Sequence, residues 1–352
     1  TVNISQKNIN ASYLIAESIT MTMKQKMFFS VSFTVVKLDS DVIVKNSIFL
    51  RGDGLYAGKT MRIAIAGANG WLGSRIVRAA LRSNHQVLCI LRRNADASRL
   101  HGLQNRIATA CSEEEEESLK EFLPDVVVCT TCSYKTNFDF IEESISANYA
   151  YPARLLIRTQ KIGCPRFISI ATSLPPGLNL YSFTKKQFSL LGRFLAEKDL
   201  ISFVSLRCEA IYGTDEPENR FISRVIRQLR NNEPIELTEG CQHRDFVWIG
   251  DVVSILLHSL TAELSAISEI RGPKMYAEIP VGSGTAPTIR ELVTFLKEEL
   301  NSKSELKWGT VPLRNDEPDL CADLSLIRKT GYAGTPLFWK DGMTRLIKGQ
   351  EP

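Results

Sequence analysis

A chain of 352 residues, 44% hydrophobic and 23% charged, carries enough apolar side chains for a large buried core, which excludes a disordered or fibrous polypeptide and fits one large α/β domain or two smaller ones. Its formal net charge of +4 is small for this length, no basic tract is interleaved with aromatics, and no apolar run is long enough to span a bilayer, so neither nucleic acid nor a membrane is expected as a partner. The eight cysteines are scattered, with only Cys129 and Cys132 closely spaced, which points to free thiols in a reducing compartment and hence to the cytoplasm.

Residues 1–60 do not share the rhythm of the rest. Lys24 and Lys26 precede "MFFSVSFTVV" in the manner of a crude signal peptide, but no small-residue cleavage site follows. The segment reads as an N-terminal extension with some strand propensity and no assigned function, and Met61 reads as a natural start. From there short runs rich in β-branched residues recur, "RIAIAG", "QVLCIL", "DVVVCT", "RFISIA" and "ISFVSL", with helical periodicity between them. That alternation predicts an α/β fold with a doubly wound parallel sheet of Rossmann type over residues 61–212. The acidic run "SEEEEESLKEF" reads as a solvated helix start, favoured by the positive end of the helix dipole. After residue 212 the rhythm breaks into helices with brief strands, which predicts a smaller lobe over 213–352 carrying substrate contacts.

In "RIAIAGANGWLGSRIV", Gly67, Gly70 and Gly73 follow a buried strand and open a helix. Glycines there allow a tight turn and close approach of a pyrophosphate to the unpaired amides of the helix start. Trp71 and Leu72, inside the turn, join the glycines as cofactor contacts, with the Trp71 ring also expected to pack. At the end of the second strand, where an acidic residue would bind an adenosine ribose, stand Arg92 and Arg93. Guanidinium groups suit a 2′-phosphate, so NADP(H) is expected over NAD(H); the alternative is two solvated loop charges.

In "YSFTKKQF", Tyr181 and Lys185 lie four residues apart and project from one helical face. A neighbouring ammonium is expected to lower the phenol towards working pH and make it a general acid for a developing alkoxide. The preceding strand ends in Thr172 and Ser173, hydroxyls placed to bond the same substrate oxygen. The alternative reading is an exposed helical turn.

These pieces together resemble an extended short-chain dehydrogenase/reductase of the nucleotide-sugar epimerase/dehydratase group, from Met61 almost to the C-terminus. "LRCEAIYG", with Arg207, Tyr212 and Gly213, "GCQHRDFVWIGDVV" and "IPVGSGTAPTIREL" resemble further ordered motifs of that family. The resemblance implies a catalytic Thr172, Tyr181 and Lys185, with Lys185 on the nicotinamide ribose, and a cofactor-site asparagine at Asn148 in "SANYAYPARLL". It also implies a nucleotide-diphosphate sugar as substrate, with Arg244 on the pyrophosphate and Arg314 and Glu317 reaching the nucleotide. A homodimer built from the helices that contain Asn148 and Tyr181 is implied as well. Asn219 and Arg220, at a helix start, are candidate phosphate contacts; Tyr134, Lys135 and Ser173 are candidate sugar contacts; a salt bridge with Asp245 is the alternative for Arg244. His243 reads as a surface residue.

The loop "CTTCSYK" departs from the family pattern, and the Cys129/Cys132 pair lacks the partners of a zinc site, so no metal is expected. The compressed segment between Thr172 and Tyr181 resembles the sub-group of 4-keto-6-deoxyhexose reductases that includes CDP-abequose and CDP-paratose synthases. Ser173 and Leu174 stand where dehydratases of the family place Asp-Glu, so a single hydride transfer from NADPH to a C4 ketone is expected rather than elimination. Two alternatives remain: a nucleotide-sugar 4-epimerase with tightly held NAD, and a non-catalytic dinucleotide sensor.

Overall fold

A computed structural model describes residues 60–135, 138–270, 272–312 and 318–350, and the backbone of strands β1 (Ser30–Leu38) and β2 (Asp41–Phe49). The chain divides into two compact units, Thr1–Ala57 and Gly58–Pro352. In the first, β1 and β2 pair antiparallel from Ser30 opposite Phe49 to Leu38 opposite Asp41, a hairpin consistent with the strand propensity of that segment.

The second unit is built on β3 (Arg62–Ala66), α1 (Trp71–Arg82), β4 (Gln86–Leu91), β5 (Ala108–Cys111), α2 (Glu115–Phe122), β6 (Val126–Cys129), α3 (Ile141–Ile145), α4 (Tyr151–Lys161), β7 (Arg166–Thr172), α5 (Leu180–Glu197) and β8 (Ser202–Cys208). There follow β9 (Ala210–Tyr212), α6 (Phe221–Arg230), β10 (Ile235–Glu236), β11 (Phe246–Trp248), α7 (Ile249–Thr261), β12 (Tyr276–Val281), α8 (Ile289–Glu299), β13 (Leu306–Lys307), α9 (Ser325–Lys329) and α10 (Trp339–Ile347). Seven strands form one sheet in the order β12-β8-β7-β6-β3-β4-β5, every pair parallel, which is the doubly wound arrangement expected.

The five expected strands are β3, β4, β6, β7 and β8. Strand alternation divides their side chains between two cores: Ile63 and Ile65 face α1 and α7, whereas Ala64 and Ala66 face the side where Leu155, Leu156 and Phe188 pack. Phe203 stacks on Phe167 at 5.7 Å between centroids and meets Phe188 edge-on at 5.6 Å, which seats α5 against β7 and β8. Burial on both faces explains why these strands read as continuous apolar runs.

From the C-terminal half, β12 returns to pair with β8 at the sheet edge. One expectation needs correction. The acidic run is not wholly solvated: Glu115, in the first turn of α2, is fully buried and accepts a hydrogen bond from Arg158 of α4 at 2.7 Å, so part of that turn is an anchor between helices.

Candidate active site

The strand order reverses between β3 and β6, which opens a crevice beyond their C-terminal ends. Gly67 turns the chain out of β3 with φ +75°, and an added Cβ would stand 2.7 Å from Thr130 Oγ1, so the turn admits no side chain. A Cβ on Gly73 would collide with the Gly67 carbonyl. Gly70 N-caps α1 with no side-chain bond to the helix amides, leaving a first turn whose N–H groups suit an anion. This tight, uncapped cradle fits a dinucleotide pyrophosphate.

The Trp71 and Leu72 side chains pack into the core. The buried Trp71 ring lies under the guanidinium groups of Arg75 and Arg220, at 5.6 and 5.5 Å, and its Nε1 donates to the Thr214 carbonyl at 2.7 Å. Leu72 packs against the core, so these two residues offer the cradle backbone rather than side chain. Both Arg92 and Arg93 are exposed after β4, but Arg93 donates to Glu114 at 2.6 Å. Arg92 stands within electrostatic range of Glu143, so the pair is not equivalent.

Tyr181 and Lys185 lie on the buried face of α5. Asn179 begins that helix with a reciprocal capping box, accepting from Ser182 N at 2.9 Å while Ser182 Oγ accepts from Asn179 N at 3.3 Å. The cap fixes the turn that carries Tyr181. Lys185 Nζ donates to the Thr131 carbonyl at 3.4 Å, beside the glycine turn. At the end of β7, Thr172 Oγ1 accepts from Leu174 N at 3.2 Å, and Thr172 is close enough to Tyr181 to influence its phenol. The structure therefore brings Thr172, Tyr181 and Lys185 together at the sheet's C-terminal edge. The expected lowering of the phenol is reversed: burial pushes Tyr181 well above the ordinary tyrosine range, Cys132 and Tyr134 push the same way, and the neighbouring Thr172 hydroxyl works against them. Such a phenol holds its proton until an acceptor arrives, as a general acid does.

The model of the NAD dependent epimerase/dehydratase family matches residues 63–269, more than half of the chain, which takes in the glycine turn, Thr172, Tyr181 and Lys185. The chain belongs to this family. Among individual proteins, it is 25% identical over 280 residues to CDP-abequose synthase of Salmonella muenchen, covering 77% of this chain and 92% of that protein. It is 26% identical over 271 residues to CDP-abequose synthase of Salmonella typhimurium, covering 72% and 87%. UDP-glucose 4-epimerase of Thermotoga maritima, solved with UDP-glucose, superposes with a TM-score of 0.69 at 16% identity, covering 82% of this chain and 98% of that one. UDP-glucuronic acid 4-epimerase of Bacillus cereus, solved with UDP-glucuronic acid and NAD, gives 0.69 at 20% identity with the same coverage.

In this epimerase/dehydratase-family chain, Asn148 is fully buried in a π-helical turn, Ser146–Ala150, between α3 and α4. Its Oδ1 accepts from Ser133 N at 2.9 Å and its Nδ2 donates to Ser133 O at 3.0 Å and Thr184 Oγ1 at 3.2 Å. Its side chain ties the loop after β6 to α5, so it is a positioning residue rather than a cofactor contact. Tyr134 is brought to the site, its ring tilted over Tyr181 with centroids 5.1 Å apart. Lys135 is turned away into an ion pair with Glu143 at 2.7 Å.

Arg220 N-caps α6, as expected of a helix start, but its guanidinium is engaged. It donates to Glu216 at 2.6 Å and to the Ile211 carbonyl at 3.0 Å, is hydrogen-bonded to Tyr134, and lies 5.0 Å over the Tyr134 ring. It braces Trp71 and Tyr134 instead of standing open to a phosphate. Asn219 beside it is exposed. Arg244 is buried and donates to the Pro318 carbonyl at 2.6 Å. Asp245 accepts from Ser283 N, Gly284 N and Ala322 N at 2.8, 3.0 and 3.1 Å. Arg314 and Glu317 lie outside the described residues.

Sequence reading missed Glu209, directly after β8. It is buried, and its carboxyl is pushed up to about 7 by burial, with the neighbouring Ser173 hydroxyl working the other way. An acidic letter closing a buried strand in "LRCEAIYG" was the available signal. Cys129 is buried with Sγ 3.2 Å from Thr131 Oγ1, and no group of three metal-ligating side chains occurs among the described residues. No helix of the described residues is long and apolar enough to cross a membrane.

Proposed function

We propose that the chain reduces the C4 ketone of a nucleotide-diphosphate-linked 4-keto-6-deoxyhexose with NADPH. The observation that carries this reading is the buried Tyr181 phenol, beside Thr172 at the edge of the dinucleotide crevice and pushed upward by burial. The dinucleotide, when bound, supplies hydride. Tyr181 delivers the proton to the carbonyl oxygen, Thr172 orients that oxygen through its hydroxyl, and Lys185, anchored on Thr131, holds ribose hydroxyls. Gly67, Gly70 and Gly73 cradle the pyrophosphate, and Arg92 carries the preference for a 2′-phosphate because Arg93 is paired with Glu114.

Elimination of water needs an acid and a base beside the threonine. Ser173 and Leu174 follow Thr172, and Glu209 alone supplies one carboxyl, which fits reduction better than dehydration. The CDP-abequose synthases, matched over 92% and 87% of their lengths, support a nucleotide-linked sugar as substrate. Arg244, Asn219 and Arg314 are the residues we assign to its nucleotide diphosphate. The rival 4-epimerase would begin with Tyr181 as a base, a role that a phenol pushed upward by burial serves poorly. Phe183, Leu190 and Phe194 form an exposed apolar row on α5, with Ile145 and Ile157 exposed on the helices that carry Asn148, which supports a homodimer through this face.

The deciding experiment follows NADPH oxidation with a panel of nucleotide-linked 4-keto-6-deoxy sugars and reads the product's C4 configuration by NMR. Absence of turnover on the whole panel, or stoichiometric NAD co-purifying with the protein, would overturn the reductase reading. Light scattering during size-exclusion chromatography checks the dimer.

A further inference from the structure

The carboxyl missed by the sequence occupies a specific place. Glu209 follows β8, and β8 lies beside β7 with Cys208 opposite Thr172, so Glu209 sits one residue past the rung that ends in the catalytic threonine. Ser173 N continues that ladder onto the Cys208 carbonyl at 3.0 Å, which brings the Ser173 hydroxyl beside the Glu209 carboxyl. The Glu209 backbone is held from the other side, its N–H donating to Val281 O at 2.9 Å. Glu209 thus lies between the Thr172 end of β7 and the segment that holds Arg244, since Ala210 N donates to the Asp245 main-chain carbonyl at 3.1 Å, and Arg244 is within electrostatic range of its carboxyl. A hexose with its C4 at Tyr181 and its anomeric phosphate at Arg244 must lay its ring across the space between, where Glu209 is.

We propose that Glu209 binds the sugar ring itself, accepting hydrogen bonds from free hydroxyls on the carbons between C4 and the anomeric carbon, and so selects for a hydroxylated hexose. This rests on the nucleotide-sugar reading above and adds to it the contact that recognises the sugar. Ser173 acts through Glu209 as a positioning residue, holding one carboxyl oxygen so that the other faces the ring. The charged and titratable groups facing Glu209 are Arg207 from its own strand, Arg244 and Asp245 from the approach to β11, and Cys321. Asp245 is bound by three backbone amides, and the two arginines favour the ionised form that accepts from hydroxyls.

The test is calorimetric binding of CDP and CDP-glucose, and of UDP and UDP-glucose, to the full chain and to Glu209→Gln, which keeps the shape and loses the charged acceptor. A hydrogen bond to a charged group is worth roughly 10-fold or more in affinity. The preferred nucleotide-glucose should therefore weaken by about 10-fold or more in the variant while the nucleoside diphosphate alone binds unchanged. Wild-type binding of the nucleotide-glucose should also weaken as pH falls through about 7, where Glu209 takes up its proton, and the variant should be flat. An unchanged variant that still binds the diphosphate overturns the role of Glu209 and leaves the substrate class standing. Failure of the wild-type chain to bind any nucleoside diphosphate overturns the substrate reading, and this inference with it. If Glu209→Gln does not fold, the wild-type pH series decides alone, and flat nucleotide-glucose binding refutes the role.

Discussion

Replacing Asn148 by alanine tests whether the loop after β6 is held by one side chain. Asn148 is fully buried, Ser133 nearly so, and the asparagine satisfies both the N–H and the carbonyl of Ser133 at 2.9 and 3.0 Å. Thr184 is less affected, because its hydroxyl also donates to the Leu180 and Tyr181 carbonyls. Two buried backbone groups left without partners cost about 1–3 kcal/mol each, so Asn148→Ala should lose roughly 2–6 kcal/mol. Urea unfolding followed by circular dichroism measures this as a lower midpoint at unchanged slope. The same loop supplies the Thr131 carbonyl under Lys185 and the Tyr134 ring over Tyr181, so dinucleotide affinity should fall in the same variant. A loss below about 0.5 kcal/mol, the scale of an ordinary surface substitution, would refute the reasoning, because the loop would then be held by something other than Asn148.

Tyr181→Phe removes only the phenol oxygen, so reduction should slow by about 100-fold or more in steady-state assays while the dinucleotide Kd stays within error. Because the acid works while protonated and burial raises its pKa, kcat should stay flat through neutrality and fall only above the ordinary phenol value of about 10; a fall just above neutrality would contradict the assignment. Gly73→Ala drives a methyl into the Gly67 carbonyl, so dinucleotide binding followed by fluorescence should be lost well before the fold is, and retained binding would show that the turn does not form the cradle. Arg92→Ala should weaken NADP(H) by about 10-fold or more without changing NAD(H), whereas Arg93→Ala should have a smaller effect because Glu114 holds that guanidinium; equal losses would reject the distinction.

The parallel sheet and its phosphate turn were legible in the chain because both follow from local rules. Strands buried on two faces become unbroken apolar runs, and a turn with no room for a Cβ must be glycine, so β3, β4, β6, β7, β8 and the Gly67 turn could be read letter by letter. The four-residue interval of Tyr181 and Lys185 is likewise a property of one helix. Local pattern did not reveal which polar side chains were already engaged. Arg220 and Lys135 read as open contacts, but partners distant in sequence or in the next turn occupy them; Asn148 read as a cofactor ligand and turned out to hold Ser133. Strands as short as β5, and β12, which enters the sheet from the far half of the chain, gave too little periodicity to stand out. Burial is likewise a property of the assembled fold: it inverted the expected shift of Tyr181 and turned Glu209 from one more charged letter into a carboxyl poised near neutrality. Periodicity and spacing act over a few residues, whereas desolvation and hydrogen-bond competition depend on what the whole chain packs around a group.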